Sequence, residues 1–267
     1  MNSLQTIIDT NLGHVRERMA AAARQSGRAA DAVRLVAVTK YVPLEVIQSL
    51  LAAGCHDLGE NRPQQLVERA QQIDRPDVRW HLIGHWQRNK VRRTLPAVSF
   101  LHAGDRLSLL EEISREWASG VASKAASEAA SKAASEAASE AASEAASEAA
   151  RGVAKLPVLL EINISGDPSK HGFAPGEVEP LLPTISRLPG IEVVGLMAMS
   201  GLESDATQAR REFAAVRELA ERLQQVAPPG LSFRELSMGM SGDFELAIAE
   251  GATLVRIGSA LYEGLKD

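Results

Sequence analysis

Lys40 ends an apolar run, Leu35-Val36-Ala37-Val38-Thr39-Lys40, and is followed by the turn Tyr41-Val42-Pro43. A buried strand that delivers an amine to its carboxyl end places a nucleophile where α/β barrels carry their chemistry. Two later loops supply complementary groups: Ser237-Met238-Gly239-Met240-Ser241-Gly242-Asp243 and Arg256-Ile257-Gly258-Ser259-Ala260. Their glycines permit close backbone approach, and their hydroxyls and helix-start N–H groups suit an anion. In barrels the loops after the seventh and eighth strands frequently form a phosphate site. An amine facing a phosphate site is the arrangement that a pyridoxal phosphate Schiff base requires. Arg256 would then face the pyridine nitrogen, where a permanent positive charge disfavours protonation. The plainer readings are a lysine that snorkels from a strand end and an arginine paired with a neighbouring carboxylate.

These groups need a scaffold with eight strands, and the sequence supplies the pattern. Leu4, Ile7, Ile8, Leu12, Val15 and Met19 recur at threes and fours, so residues 4–25 are expected to form a capping amphipathic helix. Strand-like segments at 35–40, 57–61, 78–84 and 98–103 alternate with helical segments, three of them at 43–53, 63–73 and 87–94. The second half repeats the scheme, with strands at 158–164, 191–199, 233–238 and 253–257 and helices at 176–188, 204–226 and 244–250. Eight strand-then-helix units predict an α/β chain folded as a single closed (β/α)8 TIM barrel spanning residues 1–267.

Residues 123–150 depart from that plan, as seven tandem Ser-Lys/Glu-Ala-Ala units. Alanine and glutamate favour helix, but a period of four drifts by about 40° per unit and fixes no apolar stripe. The segment is expected to be an inserted, solvent-exposed helical extension of the helix after the fourth strand. It holds two lysines and five glutamates, hence three of the chain's five net negative charges.

The 267 residues can bury a substantial core, which only 4% aromatics make mainly aliphatic. A single cysteine, Cys55, excludes an internal disulfide framework and suits a reducing cytosol. The N-terminus has neither a basic n-region nor an apolar h-region, and no run reaches a membrane span. A cytoplasmic protein without membrane or nucleic-acid partners is expected. Arg88, Lys90, Arg92 and Arg93 read as a solvated helix face. His81 and His85, four apart at a strand end, read as structural or pocket-lining residues, and no metal site is expected.

Six ordered motifs carry a family resemblance. They are Val38-Thr39-Lys40; Gly59-Glu60-Asn61; His81-Leu82-Ile83-Gly84-His85-Trp86-Gln87-Arg88-Asn89-Lys90; Asn163-Ile164-Ser165 with Ser169-Lys170-His171-Gly172-Phe173; Gly195-Leu196-Met197-Ala198-Met199; and Gly239-Met240-Ser241-Gly242-Asp243 with Val255-Arg256-Ile257-Gly258-Ser259. Together they resemble the pyridoxal phosphate homeostasis family over the whole chain except the repeat. The resemblance implies a fold-type III barrel like the N-terminal domain of alanine racemase, with pyridoxal 5′-phosphate held covalently on Lys40. It also implies Asn61 beside the ring, Met199 near the pocket, Ser241, Gly242, Gly258 and Ser259 on the phosphate, Ser237 adjacent, and Arg256 at the ring nitrogen. Trp86 stands where the family more often has leucine.

The implied role is intracellular cofactor buffering and delivery to pyridoxal phosphate-dependent apoenzymes, by a monomer with no established turnover and no assigned catalytic residue. The rival is an amino-acid racemase. Racemisation in related barrels takes a second base from a C-terminal tyrosine-bearing domain, which is not expected in a chain that ends at Asp267. Tyr41 and Tyr262 are the only tyrosines, and neither is an obvious second base. A third reading, a scaffold built on the alanine-rich helix, leaves Lys40 without a purpose.

Overall fold

The computed structural model describes residues 3–133, 155–201 and 204–265. Eight parallel strands close into a barrel in sequence order, β1 to β8. They are β1 (Arg34–Val38), β2 (Asp57–Glu60), β3 (Arg79–Leu82), β4 (Phe100–Gly104), β5 (Leu156–Ile162), β6 (Ile191–Ala198), β7 (Glu235–Ser237) and β8 (Leu254–Ile257). The helices between and before them are α1 (Leu4–Gln25), α2 (Leu44–Ala52), α3 (Pro63–Ile73), α4 (Arg88–Thr94), α5 (Leu107–Ala133), α6 (Val178–Ile185), α7 (Ala206–Val226) and α8 (Phe244–Ala249). The expected barrel is therefore the observed one.

Strand limits shift by one or more residues from expectation throughout, and two of the differences bear on the site. Lys40 lies beyond β1, in a turn, and β7 is only three residues long. Phe233 leaves the sheet because its N–H is taken by the Gln224 side chain at 2.8 Å, and Gly239 ends the strand with φ +90°. A Cβ on Gly239 would sit 2.8 Å from the Phe244 Cα, so only glycine makes this sharp entry into α8. α5 continues into the repeat as far as Ala133; the remainder of the repeat, to residue 150, lies outside the described residues.

Helix α1, which packs beside the barrel against α2 and α8, is tied at its start by Ser3, whose hydroxyl accepts the Thr6 N–H at 3.2 Å. It buries Ile8, Leu12, Val15 and Met19, one face at helical spacing. The core is aliphatic, apart from a few aromatics such as Phe213, Phe244 and Trp86, all fully buried. Trp86 precedes α4, and its indole N–H donates to Thr94 Oγ1 at 2.9 Å while its carbonyl accepts from Arg106 at 2.9 Å. This side chain fixes α4 against the barrel mouth. Shortening it with Trp86→Leu leaves a cavity and removes one buried hydrogen bond, at a cost of about 2–4 kcal/mol. A lower urea midpoint at unchanged slope is the expected result; an unchanged midpoint would show that the site repacks freely.

Candidate functional site

The carboxyl ends of the strands gather the candidate residues through one seam. β1 pairs with β8 in the register Val36↔Arg256 and Ala37↔Ile257, which sets Val38 beside Gly258. Lys40 is two residues beyond Val38, exposed at the mouth, and no hydrogen bond or ion pair engages its amine among the described residues. The turn that carries it is held from below. Arg69 on α3 donates to the carbonyls of Thr39 and Val42, the latter at 2.8 Å, and to the carboxylate of Glu60. Thr39 Oγ1 also donates to Glu60 at 2.6 Å. These bonds bracket Tyr41, whose φ of +68° is unusual for a bulky residue and costs about 1–3 kcal/mol. Burial pushes the Glu60 carboxyl up, against the opposing pull of Thr39, Arg69 and the Asn61 backbone, and among the described residues no hydrogen bond satisfies its Oε2 atom.

Ser241 clasps the two glycine-rich loops. Its hydroxyl accepts the N–H groups of Gly258 and Ala260, each at 3.3 Å. Asp243 closes the first loop by accepting the Met240 N–H at 2.6 Å and the Ser200 hydroxyl at 2.8 Å. Gly242 and Ser259 are exposed on this rim, and a Cβ on Gly242 would meet nothing within 4 Å. The donor set is thus hydroxyls and long-bonded backbone N–H groups, with open space at Gly242, which fits an oxyanion such as a phosphate. Asn61 and Met199 lie at the ends of β2 and β6 on the same rim. Asn61 lies so close to Gly84 that a Cβ there would come within 2.1 Å of its Oδ1 atom.

Arg256 and Ser237 occupy the barrel interior, not the rim. Arg256 is buried and donates to the Ser237 carbonyl at 2.8 Å, to the Ser237 hydroxyl at 2.6 Å and to the Ala198 carbonyl at 3.1 Å. The plainer expectation of an ion pair is not met: among the described residues Glu161 and Asp243 act on it only at a distance. Burial brings its guanidinium down to about 10, so it remains charged at neutral pH.

From Arg256 a hydrogen-bonded chain crosses the interior, and sequence reasoning missed it. Ser237 Oγ lies 2.8 Å from His102 Nδ1, His102 Nε2 lies 2.9 Å from His81 Nδ1, and His81 Nε2 lies 2.8 Å from Asp57 Oδ1. Burial holds both imidazoles below their usual value, His102 well below. With both neutral, one arrangement satisfies every bond. Ser237 donates to His102, His102 Nε2–H to His81, and His81 Nε2–H to the Asp57 carboxylate. Burial raises the Asp57 carboxyl, but the His81 and Arg79 bonds outweigh it and hold the group below its ordinary value. All donors in the chain therefore point away from Arg256, and the guanidinium charge is anchored at the pocket floor.

His81 is accordingly interior and structural, whereas His85 is at the mouth. His85 Nδ1 lies 2.7 Å from Asp105 Oδ2, and its ring stacks on His171 with centroids 4.3 Å apart. Ligand atoms of these three residues lie within 4.8 Å of one another, but Arg106 donates to both Asp105 oxygens at 2.6 and 2.8 Å and supplies the positive charge itself. Cys55 is buried, and that burial pushes its thiol up to about 11, unsuited to nucleophilic work.

The family model of the alanine racemase N-terminal domain matches residues 10–266. The pyridoxal phosphate homeostasis protein of Aquifex aeolicus is 32% identical, over 94% of this chain and 95% of that protein. The structure of PipY from Synechococcus elongatus PCC7942 with PLP bound superposes with a TM-score of 0.73 at 29% identity, covering 96% of this chain and 99% of PipY. Alanine racemase from Corynebacterium glutamicum shares the fold, with a TM-score of 0.61 at 15% identity; 98% of this chain matches 63% of the racemase.

Glu161, inward-facing in β5, was also missed, although an acidic residue inside Val-Leu-Leu-Glu-Ile is a visible signal. Burial, then the Asp105 charge, raise its carboxyl to about 7 from 4.5. A raised carboxyl contributes stability below pH 4.5 that is lost as pH rises through about 7. In the cofactor-free protein, Glu161→Gln should remove this slope and stabilise by on the order of 2–3 kcal/mol at pH 8. Thermal melts from pH 5 to pH 8 decide it: parallel curves for the two proteins would contradict the assignment.

Proposed function

The chain belongs to the alanine racemase N-terminal domain family and to that of the pyridoxal phosphate homeostasis proteins, and from that membership we propose that it binds pyridoxal 5′-phosphate covalently on Lys40 to buffer and deliver the cofactor. The observation that carries this reading is the β1–β8 register, which sets the turn of Lys40 beside the clasp of Gly258, Ala260 and Ser241.

Each residue has a role in holding the group. Lys40 would hold the aldehyde end of the molecule through its amine, the group suited to a reversible covalent link with a carbonyl. Ser241, Gly242, Gly258 and Ser259 offer hydroxyls and backbone N–H groups to the phosphate at the other. Asn61 and Met199 would border the ring and Arg256 would serve its nitrogen, with the observed Ser237 bonds holding that guanidinium in place. A positive charge there would disfavour protonation of the nitrogen and so weaken the electron withdrawal that the cofactor supplies to carbanion chemistry when bound. That suits storage better than turnover.

The racemase alternative needs a second base opposite Lys40. Tyr262 is a poor one: its hydroxyl donates to the Val38 carbonyl at 2.9 Å, and burial raises it far above the ordinary phenol value. Cofactor-dependent apoenzymes are the recipients in this reading, and the protein acts as a cytoplasmic monomer. No described helix is long and apolar enough to cross a membrane.

Borohydride reduction of the cofactor-treated protein followed by peptide mapping tests the assignment. A single adduct on Lys40, absent in Lys40→Ala, is expected; label scattered over surface lysines, or equal labelling of the variant, would overturn it. Loaded protein incubated with L-alanine or D-alanine should leave either enantiomer unchanged, and racemisation would favour the enzyme.

A further inference from the structure

The Val42 N–H bonds the Thr39 carbonyl at 3.3 Å, so residues 39–42 form one β-turn with Lys40 and Tyr41 at its two central positions. A positive φ at the second of these is ordinarily left to glycine or asparagine, and here a tyrosine holds it at +68°. Packing of the phenol ring does not offset the strain, because Tyr41 is 72% exposed. The conformation therefore depends on what grips the backbone on either side of it.

Among the described residues that grip comes from one guanidinium. Arg69 is buried and donates through Nη1 to the Thr39 carbonyl, at the first residue of the turn, and through Nη2 to the Val42 carbonyl, at its last, at 2.8 Å. A rigid planar fork suits two acceptors held at a fixed separation. Glu60, fully buried, is the counter-ion: Arg69 and the Thr39 hydroxyl, the latter at 2.6 Å, both donate to its Oε1 atom. The strand up to Thr39 is fixed without the clamp, since the Thr39 N–H donates to the Gly59 carbonyl at 2.9 Å and the Tyr262 hydroxyl to the Val38 carbonyl at 2.9 Å. What the clamp adds is the turn. A buried ion pair seldom adds net stability over apolar residues of the same volume, and here it specifies one backbone conformation.

We propose that Arg69 and Glu60 are positioning residues of the cofactor site: they hold Tyr41 in its left-handed conformation, and the turn so fixed presents the Lys40 amine to the Ser241 and Gly258 loops. The inference rests on the proposed cofactor role and extends it to a side chain of α3 and one of β2. The Lys40 amine itself is engaged by no hydrogen bond or ion pair among the described residues, so the backbone beneath it sets the point from which it reaches.

Reductive labelling with limiting pyridoxal 5′-phosphate tests the role, read by peptide mapping as the rate at Lys40 relative to the surface lysines of the same sample. Arg69→Lys keeps a charge opposite Glu60 but loses the fork that spans both carbonyls, and it should lower that ratio by about tenfold or more. Glu60→Gln, of nearly the same volume, should lower it in the same direction, and it serves in place of Arg69→Lys should that variant not fold. Adding Tyr41→Asn to either variant should restore most of the lost ratio, because asparagine tolerates the left-handed conformation; a general loss of structure would not be restored in this way. A ratio unchanged in Arg69→Lys and Glu60→Gln, or a loss that Tyr41→Asn fails to restore, would overturn the inference and leave the cofactor reading standing. Wild-type label scattered over surface lysines would instead contradict the cofactor reading, and the positioning role would fall with it. Thermal melts identify the variants that fold as the wild type does.

Discussion

The closure of the sheet between β1 and β8 is the constraint on which the rest of this protein depends. Four register pairs join residues more than two hundred positions apart, from Arg34↔Leu254 to Ala37↔Ile257. Without them Lys40 and the Gly258 loop belong to opposite ends of an open sheet. Several contacts latch this seam from outside. Tyr262 donates to the Val38 carbonyl, Asn11 on α1 donates to the carbonyls of Leu261 and Glu263, and Arg28 donates to the Ala252 carbonyl at 2.8 Å. Helix α1 thus fills the outer ring between α8 and α2, where it flanks the barrel and does not cap an end as expected, and it secures the join that assembles the site. Non-local pairing of this kind carries a loop-closure cost that local contacts do not, so the two chain ends must cooperate to hold it.

The interior shows how function and stability compete. A barrel of this kind normally fills its centre with branched aliphatic side chains. Here one path across it is polar, from Asp57 through His81, His102 and Ser237 to Arg256. Each member has a partner, and a fully satisfied network specifies one arrangement where a partly satisfied one would destabilise it. Glu161 and Glu60 are different: burial raises both carboxyls, and one Glu60 oxygen has no hydrogen bond among the described residues. Both lie near the carboxyl ends of their strands, close to the proposed cofactor site, where local cost is most easily explained by function.

Much of this was legible in the sequence, and what escaped has a physical reason. Eight apolar runs alternating with helical spacing predict the barrel because each strand must be buried on both faces. The placement of Lys40, Ser241 and Gly258 just beyond the carboxyl ends of β1, β7 and β8 was legible too, because each follows an apolar strand-like run. The polar path was hidden because His81, His102 and Ser237 come from three different strands, and only the closed sheet brings them within hydrogen-bond distance. His81 was read as part of a strand end together with His85, but the pleat and strand length send the first inward and leave the second at the mouth. The Arg69 clamp beneath Lys40 is likewise a meeting of α3 with β2, which no local motif announces.

Under the proposed function one small molecule is gripped at two ends, by the Lys40 amine and by the loops joined through Ser241. The measurement that addresses both ends together is a comparison of pyridoxal 5′-phosphate with pyridoxal, which carries the same aldehyde without the phosphate, by the concentration needed for half-maximal reductive labelling of Lys40. Two anchors predict that loss of the phosphate weakens site-specific labelling by about a hundredfold, as expected when two or more charge-assisted hydrogen bonds are removed. Equal labelling of Lys40 by the two aldehydes would mean that the loops do not hold the phosphate, and the account of the site would be wrong.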